Sequence, residues 1–289
     1  MYKGLTEALD GEGDIHGKKI VLPSTFSGGP RAMVQLYHDA MALVTALGRT
    51  SLFITITENP KWQEIQRCLL DDETASDRPD LISRIFNIKL QSLIRDLTKN
   101  KRFGMVKSYM YTVEFQKRGM PHAHIIVILH DQYVPWTLDA VDSLVTAEIP
   151  DRFSEPGLFK IVTSTMLHGP CTQTSRCWGR FGCKYGYPKS FVEQTSFRHD
   201  AYPAYHQRDG LTFETNGRTY TNKDVVPYPE YLSMKYECHL NVEIPYGIKE
   251  LKYLYKYICK GEDRTCLNLE VNDETKELLD GRYIGPSEG

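Results

Sequence analysis

Residues 106–129 read VKSYMYTVEFQKRGMPHAHIIVIL, and this stretch decides the fold. Val106 to Gln116 and Pro121 to Leu129 are two alternating, β-rich runs on either side of Lys117-Arg118-Gly119-Met120. Alternation around a short glycine-containing connection predicts a β-hairpin. Toward the N-terminus, Leu81, Ile85, Leu93 and Leu97, with Ile82, Phe86 and Ile94 beside them, recur at helical spacing. They predict an amphipathic helix over about 79–98. Ser51 to Thr57 is alternating and β-branched, which predicts a strand ending in the turn Glu58-Asn59-Pro60. Pro30 suits a first helical position, and Met33, Tyr37, Ala40, Val44 and Leu47 lead to Gly48 as a stop. A helix over 30–47 follows, preceded by a short strand Lys19–Leu22 and a turn at Ser27–Pro30.

Toward the C-terminus, residues 131–236 carry two short helices, about 137–147 and 156–167, then a Cys-, Gly- and Pro-rich stretch from His168 to Pro188. Tyr236 to Ile244 alternates like a strand, and Ile248 to Lys260 has helical apolar spacing that stops at Gly261. Strand, helix, hairpin and helix in this order predict an α+β architecture. A central antiparallel sheet is flanked by helices, and residues 131–236 form a large Cys-containing insertion. No linker separates two autonomous domains, so residues 1–289 read as one domain.

The 289 residues include 35 Lys+Arg against 37 Asp+Glu, a formal net charge of −2, with 41% hydrophobic and 25% charged. The chain can bury a core, and the charge balance argues against coating of duplex DNA by bulk charge, though not against a local basic groove. Lys99, Lys101, Arg102 and Lys107 are such a group, with a solvated loop as the alternative. The longest apolar run, Ile125 to Leu129, is far short of the ~20 residues that cross a bilayer, so no membrane partner is expected. Met1 to Gly17 carries Glu7, Asp10, Glu12 and Asp14 and reads as no secretory signal. Seven cysteines without such a signal point to a reduced intracellular compartment rather than a disulfide framework.

Three groups of residues carry chemistry. His122 and His124 are alternate residues on a strand and share a face, which suits one metal ion. The facing strand offers a third oxygen: Gln116, opposite or diagonal to His122, or Glu114 one pleat further along. Two imidazoles and one oxygen leave open positions on Mg²⁺ or Mn²⁺ for a phosphate. The second group is the helix containing Lys252-Tyr253-Leu254-Tyr255-Lys256-Tyr257-Ile258-Cys259-Lys260. Ile248, Leu251, Leu254, Tyr255 and Ile258 fall within an arc of about 120° and form its buried stripe. Tyr253 and Tyr257 lie off that stripe, about 40° apart, each followed three residues later by a lysine, Lys256 or Lys260. The third group is the strand end running into Asn59, Pro60, Lys61 and Trp62, where Trp62 is a candidate base-stacking surface. Ordinary turn residues are the alternative there.

Strand–turn, His-x-His and tyrosine–lysine helix, in this order, resemble the HUH endonucleases. The resemblance narrows at Leu22-Pro23-Ser24-Thr25-Phe26, Asn59-Pro60-Lys61-Trp62, Glu114 to His124, His168-Gly169-Pro170-Cys171, Tyr236 to Glu243 and Lys252 to Tyr257. That series resembles the Rep domain of Helitron transposases over about residues 18–285. The resemblance implies a ferredoxin-like antiparallel sheet and a metal-dependent endonuclease and strand transferase for single-stranded DNA. His122 and His124 match the metal pair, Tyr253 and Tyr257 the paired nucleophiles, and Gln116 the place of an acidic ligand in related initiators. It also implies DNA contacts at Lys256, Lys260, Asn59 and Trp62, nuclear localisation, and a Pif1-like helicase in cis. The chain stops soon after Asp280–Ile284 and so reads as an excised Rep domain.

Cys171, Cys177 and Cys183, with His168 or with Cys238-His239, form a candidate structural zinc site, with free or buried thiols as the alternative. Cys-x5-Cys-x5-Cys lacks the usual two-residue cysteine knuckle. Two other functions stand beside the nickase: a catalytically silent DNA-binding module of the same fold, and a water-using metallohydrolase that leaves the tyrosines unemployed.

Overall fold

A computed structural model describes Thr25 and residues 30–115, 120–175, 177–197, 202–246, 264–269 and 277–282. Residues 43–254 form one compact unit, and residues 1–42 with 255–289 form another. The second unit includes the start of helix α1 (Pro30–Leu47) and an antiparallel hairpin of β9 (Arg264–Leu269) and β10 (Glu277–Arg282). The expected strand at 19–22, the turn at 27–29 and the helix over 248–260 lie outside the described residues.

The larger unit is built on β1 (Leu52–Thr57), β2 (Val106–Phe115), β3 (Pro121–Leu129) and β8 (Leu240–Glu243), hydrogen-bonded in the order β2-β3-β1-β8. Every neighbouring pair is antiparallel. Between β1 and β2 the chain forms the four-residue helix α2 (Gln63–Gln66) and the long helix α3 (Pro79–Thr98), where the sequence pattern places it. The mixed α+β class is therefore as the sequence reads.

Register sorts the side chains into two faces, because directly opposed residues of an antiparallel ladder lie on the same side. Ile54 opposes Ile125 and Val242, and Ile56 opposes Ala123 and Leu240. These residues meet Phe86, Leu90, Leu93 and Leu97 of α3 in one buried cluster. Thr55, Thr57, His122 and His124 project from the opposite face. Residues Ala123 to Leu129 are all buried, because β3 is an inner strand of the sheet. The continuous apolar run at Ile125–Leu129 reflects that position. Gly104, with φ of +105°, makes the bend into β2, and a Cβ there would come within 2.4 Å of the Tyr133 ring. The turn therefore requires glycine.

One element differs from the sequence expectation. Tyr236 does not open a strand; it ends helix α6 (Glu230–Tyr236), and Glu237 in the left-handed region turns the chain into β8. Seven residues are too few for a helical period to stand out. The helix is fixed by Tyr236, whose hydroxyl donates to Asp96 Oδ2 at 2.7 Å, and by Lys235, which donates to the same oxygen at 2.6 Å.

Between β3 and α6 the chain forms helices α4 (Leu138–Leu144) and α5 (Pro156–Thr165) and two short hairpins. These are β4 (Trp178–Gly179) with β5 (Gly182–Cys183), and β6 (Phe213–Thr215) with β7 (Arg218–Tyr220). Ile149, Leu158, Val162, Met166, Val225, Val226 and Tyr228 give this insertion a small core of its own. Its seam with the sheet is at Met166 and Thr165, which accept from Leu240 N and the His239 ring respectively.

Trp62 corrects another expectation. It is 1% exposed, and its indole N–H donates to the Tyr236 carbonyl at 2.7 Å, so it offers no face to a base. Trp62→Ala is expected to cost about 3–5 kcal/mol in urea unfolding. Trp62→Phe, which strands the Tyr236 carbonyl, should cost about 1–3 kcal/mol. Each folded variant should bind single-stranded DNA like the parent.

Candidate functional site

On the face away from α3, β3 presents His122 and His124, β1 presents Thr55 and Thr57, and β2 presents Thr112 and Glu114. The hairpin pairs Phe115 with Pro121, and Glu114 therefore stands directly opposite His122. The sequence reading put Gln116 opposite or diagonal to His122 and Glu114 one pleat further along; the register instead gives the directly opposed position to Glu114. A small change in hairpin register reassigns the opposing side chain. Gln116 itself lies outside the described residues.

Glu114 Oε2 is 3.3 Å from His122 Nε2, with the two side chains 20% and 14% exposed. One carboxylate oxygen of Glu114 and one ring nitrogen from each histidine all lie within 4.8 Å of one another. The imidazoles meet edge to face, with ring centroids 4.9 Å apart. His124 is held from two sides. Its Nδ1 lies 3.0 Å from Thr55 Oγ1, and Phe53 stacks on its ring at 5.5 Å. His122 Nδ1 is buried with no hydrogen-bond partner among the described residues. An orphaned polar nitrogen inside a carboxylate–imidazole group is what a cation or its water shell satisfies. The donor set thus fits a divalent cation. Three protein donors leave its remaining positions to water or a phosphate oxygen.

Support comes from β1 and β8. Thr57 N donates to the His239 carbonyl at 2.9 Å, and the His239 ring nitrogen Nδ1 bonds the Thr165 carbonyl at 2.9 Å. Burial pushes the His239 imidazole below its ordinary pKa, against the bond to the Thr165 carbonyl, and nearby His122 adds to the lowering. No local pattern announces that this third imidazole, one residue before β8, lies near the pair. Glu58, next after Thr57, alternates to the other side, with Ile54 and Ile56. Burial raises its pKa to about 7.

Several sequence candidates have structural occupations. Asn59 Nδ2 donates to the Glu237 carbonyl at 2.6 Å and its Oδ1 accepts from Lys61 N at 3.0 Å, which closes the turn after β1. Of the basic group at 99–107, Arg102 lies over the Tyr231 ring at 3.7 Å and Lys107 pairs with Asp131 at 2.9 Å. Tyr253, Tyr257, Lys256 and Lys260 lie outside the described residues.

A second group forms in the insertion, where His168, Cys171, Cys177 and Cys183 each offer a ligand atom within 4.8 Å of the others. Cys238 and His239, the alternative partners in the sequence, are elsewhere: Cys238 is buried in the sheet core. Burial, with the adjacent thiols, pushes the Cys171 thiol well up. Burial acts the same way on Cys183, but backbone N–H groups of Tyr187 and Tyr185 outweigh it and bring that thiol below its usual value. Burial also lowers the His168 imidazole. The group can hold a metal ion.

No helix among the described residues is long and apolar enough to cross a membrane. No curated protein matches the chain. Residues 1–127, less than half of the chain, match the family described as Helitron helicase-like domain at N-terminus. The matched stretch contains Glu114, His122 and His124 and ends within β3, so the part of the chain that builds the first metal-ligand group is similar to the N-terminal domain of Helitron proteins.

Proposed function

We propose that this chain is a divalent-cation-dependent endonuclease and strand transferase for single-stranded DNA, working through a 5′-phosphotyrosine as HUH enzymes do. The convergence of Glu114, His122 and His124 on adjacent strands carries the reading. The sheet order adds support. Counted along the chain, the four strands run 4-1-3-2 across the sheet, with α3 between the first two. This arrangement agrees with a ferredoxin-like split βαβ. The match of residues 1–127 to the Helitron description supports a role in rolling-circle transposition, hence a nuclear protein acting with a helicase in cis.

Glu114, His122 and His124 would hold the cation, with Thr55 and Phe53 fixing the His124 ring. A Mg²⁺ or Mn²⁺ ion bound there would supply charge neutralisation at the scissile phosphate, which favours in-line displacement. Tyr253 or Tyr257 supplies the attacking phenol oxygen. A new tyrosine O–P bond replaces the P–O3′ bond, and the freed 3′ oxygen takes up a proton. Lys256 and Lys260 favour the phenolate and steady the charge on phosphorus. The phosphotyrosine keeps the energy of the broken ester, so rejoining needs no nucleotide. Two tyrosines allow a second cut before the first end is released.

The test is incubation of the chain with 5′- or 3′-labelled single-stranded oligonucleotides and Mn²⁺, followed by denaturing electrophoresis. The expected result is label retained on the protein from the 3′ side of the cut, and none in excess EDTA. Cleavage products without any protein-linked DNA would favour the water-using hydrolase. Binding with neither cleavage nor adduct would favour the silent module.

A further inference from the structure

The segment from His168 to Pro188 has little regular structure beyond the two-residue strands of the β4–β5 hairpin. Yet it is tied firmly to the rest of the insertion. His168 N donates to the Asp224 carbonyl at 2.8 Å, and Lys189 N to the Lys223 carbonyl at 2.8 Å. Arg218 pairs with Asp224 at 3.1 Å. The β4–β5 turn pairs Trp178 with Cys183, and Lys184 N donates to the Cys177 carbonyl at 2.7 Å, which brings both cysteines to one end of the hairpin. Gly169, with φ of +129°, lets the chain double back from His168 to Cys171, and a Cβ there would come within 2.9 Å of Arg218 Nη1.

We propose that His168, Cys171, Cys177 and Cys183 form a closed structural zinc site, separate from the cation site on the sheet. Spacing between the donors carries the assignment. Cys171 Sγ and Cys177 Sγ are 3.5 Å apart, and Cys183 Sγ is 3.3 Å from His168 Nε2. A disulfide needs sulfurs about 2.05 Å apart, so the thiols are not bonded to each other. A tetrahedron with Zn–S near 2.3 Å and Zn–N near 2.0 Å has S–S and S–N edges of about 3.8 and 3.5 Å. These two separations fall a few tenths of an ångström short of those edges, and all four donor atoms lie within 4.8 Å of one another.

The donor chemistry selects the ion. Three thiolates and one imidazole are soft ligands, suited to zinc and unsuited to Mg²⁺. Four protein donors leave no open position, so the site is structural rather than catalytic. Three thiolates on a dication leave one negative charge, and Arg218, ion-paired with Asp224, lines the same cavity as His168, Cys171 and Cys183. The His168 ring is fixed by Tyr187, stacked at 4.3 Å and 22°, and by Tyr185 edge-on at 5.7 Å. A short, loop-rich segment with so little apolar core gains order from a metal staple.

The decisive experiment uses the full chain. Metal analysis after purification without chelator should find about one zinc per chain, and the Cys177→Ser/Cys183→Ser variant should hold less than about a tenth of that. Glu114→Gln/His122→Ala should keep its zinc. As a second readout, the reduced wild-type chain is stripped and titrated with Co²⁺. Tetrahedral d–d bands with thiolate-to-cobalt charge transfer are expected in the wild type and in Glu114→Gln/His122→Ala. Zinc surviving the double cysteine change, zinc lost with the sheet-site change, or cobalt binding without charge transfer would overturn the assignment. The wild-type cobalt spectrum decides even if the cysteine variant fails to fold. None of these readouts depends on cleavage, so the nickase reading and the zinc site stand or fall separately.

Discussion

Changing both Tyr253 and Tyr257 to phenylalanine should abolish the covalent protein–DNA adduct and lower nicking to below about a thousandth of wild type. Binding of single-stranded DNA should persist, since neither phenol is needed to hold phosphate. On the helix that the sequence spacing predicts, Tyr255 would fall in the stripe of Ile248, Leu251, Leu254 and Ile258, whereas Tyr253 and Tyr257 would share the other, lysine-lined side one turn apart. A phenol with a pKa near 10 is a poor nucleophile at neutral pH, so the lysine at the third position after each tyrosine has a specific task. Either single change should leave partial nicking, because the neighbouring tyrosine can substitute. Tyr255→Phe should leave cleavage near wild type. Mass spectrometry of trapped adducts assigns the attacking oxygen. An adduct on Tyr255, or one that survives in the double variant, would reverse the assignment.

The sheet and its long helix were legible because their sequence periods are clean. Helix α3 spans Pro79–Thr98 as its apolar spacing indicates, and β1 and the β2–β3 hairpin begin and end within a residue or so of the alternating runs. Helix α6 was not legible, because it is short and held by long-range partners, Asp96 and Ser92, that no local pattern announces. Trp62 misled for a related reason. It follows a polar turn, but its indole reaches across to the Tyr236 carbonyl, and the burial of an aromatic residue in a loop is decided by tertiary packing. In the insertion, the short spacing that marks a metal knuckle was present as His168-x2-Cys171. A search for two cysteines separated by two residues passes over it. Proximity of Cys177 and Cys183 then depends on the β4–β5 turn, which is only two residues deep on each side.

The third metal ligand is where sequence and structure lead to opposite expectations, and the difference can be measured. Alternation gives both Glu114 and Gln116 the same face, so only register decides which one meets His122. The ladder pairs Glu114 with His122 and Thr112 with His124, and it sets the Glu114 carboxylate 3.3 Å from an imidazole nitrogen. A carboxylate also binds a hard cation better than an amide, because it brings a full charge and two acceptor oxygens. Glu114→Gln keeps the shape and removes the charge. It should raise the Mn²⁺ concentration for half-maximal nicking by about a hundredfold or more, and His122→Ala should do at least as much. Gln116→Ala should stay within about threefold of the parent, because it removes no charge from the site. Metal titrations of nicking, paired with unfolding curves to show that each variant is folded, separate ligand loss from loss of the strand. A large shift for Gln116→Ala alongside a near-normal Glu114→Gln would restore the sequence assignment and place Glu114 outside the metal's ligands.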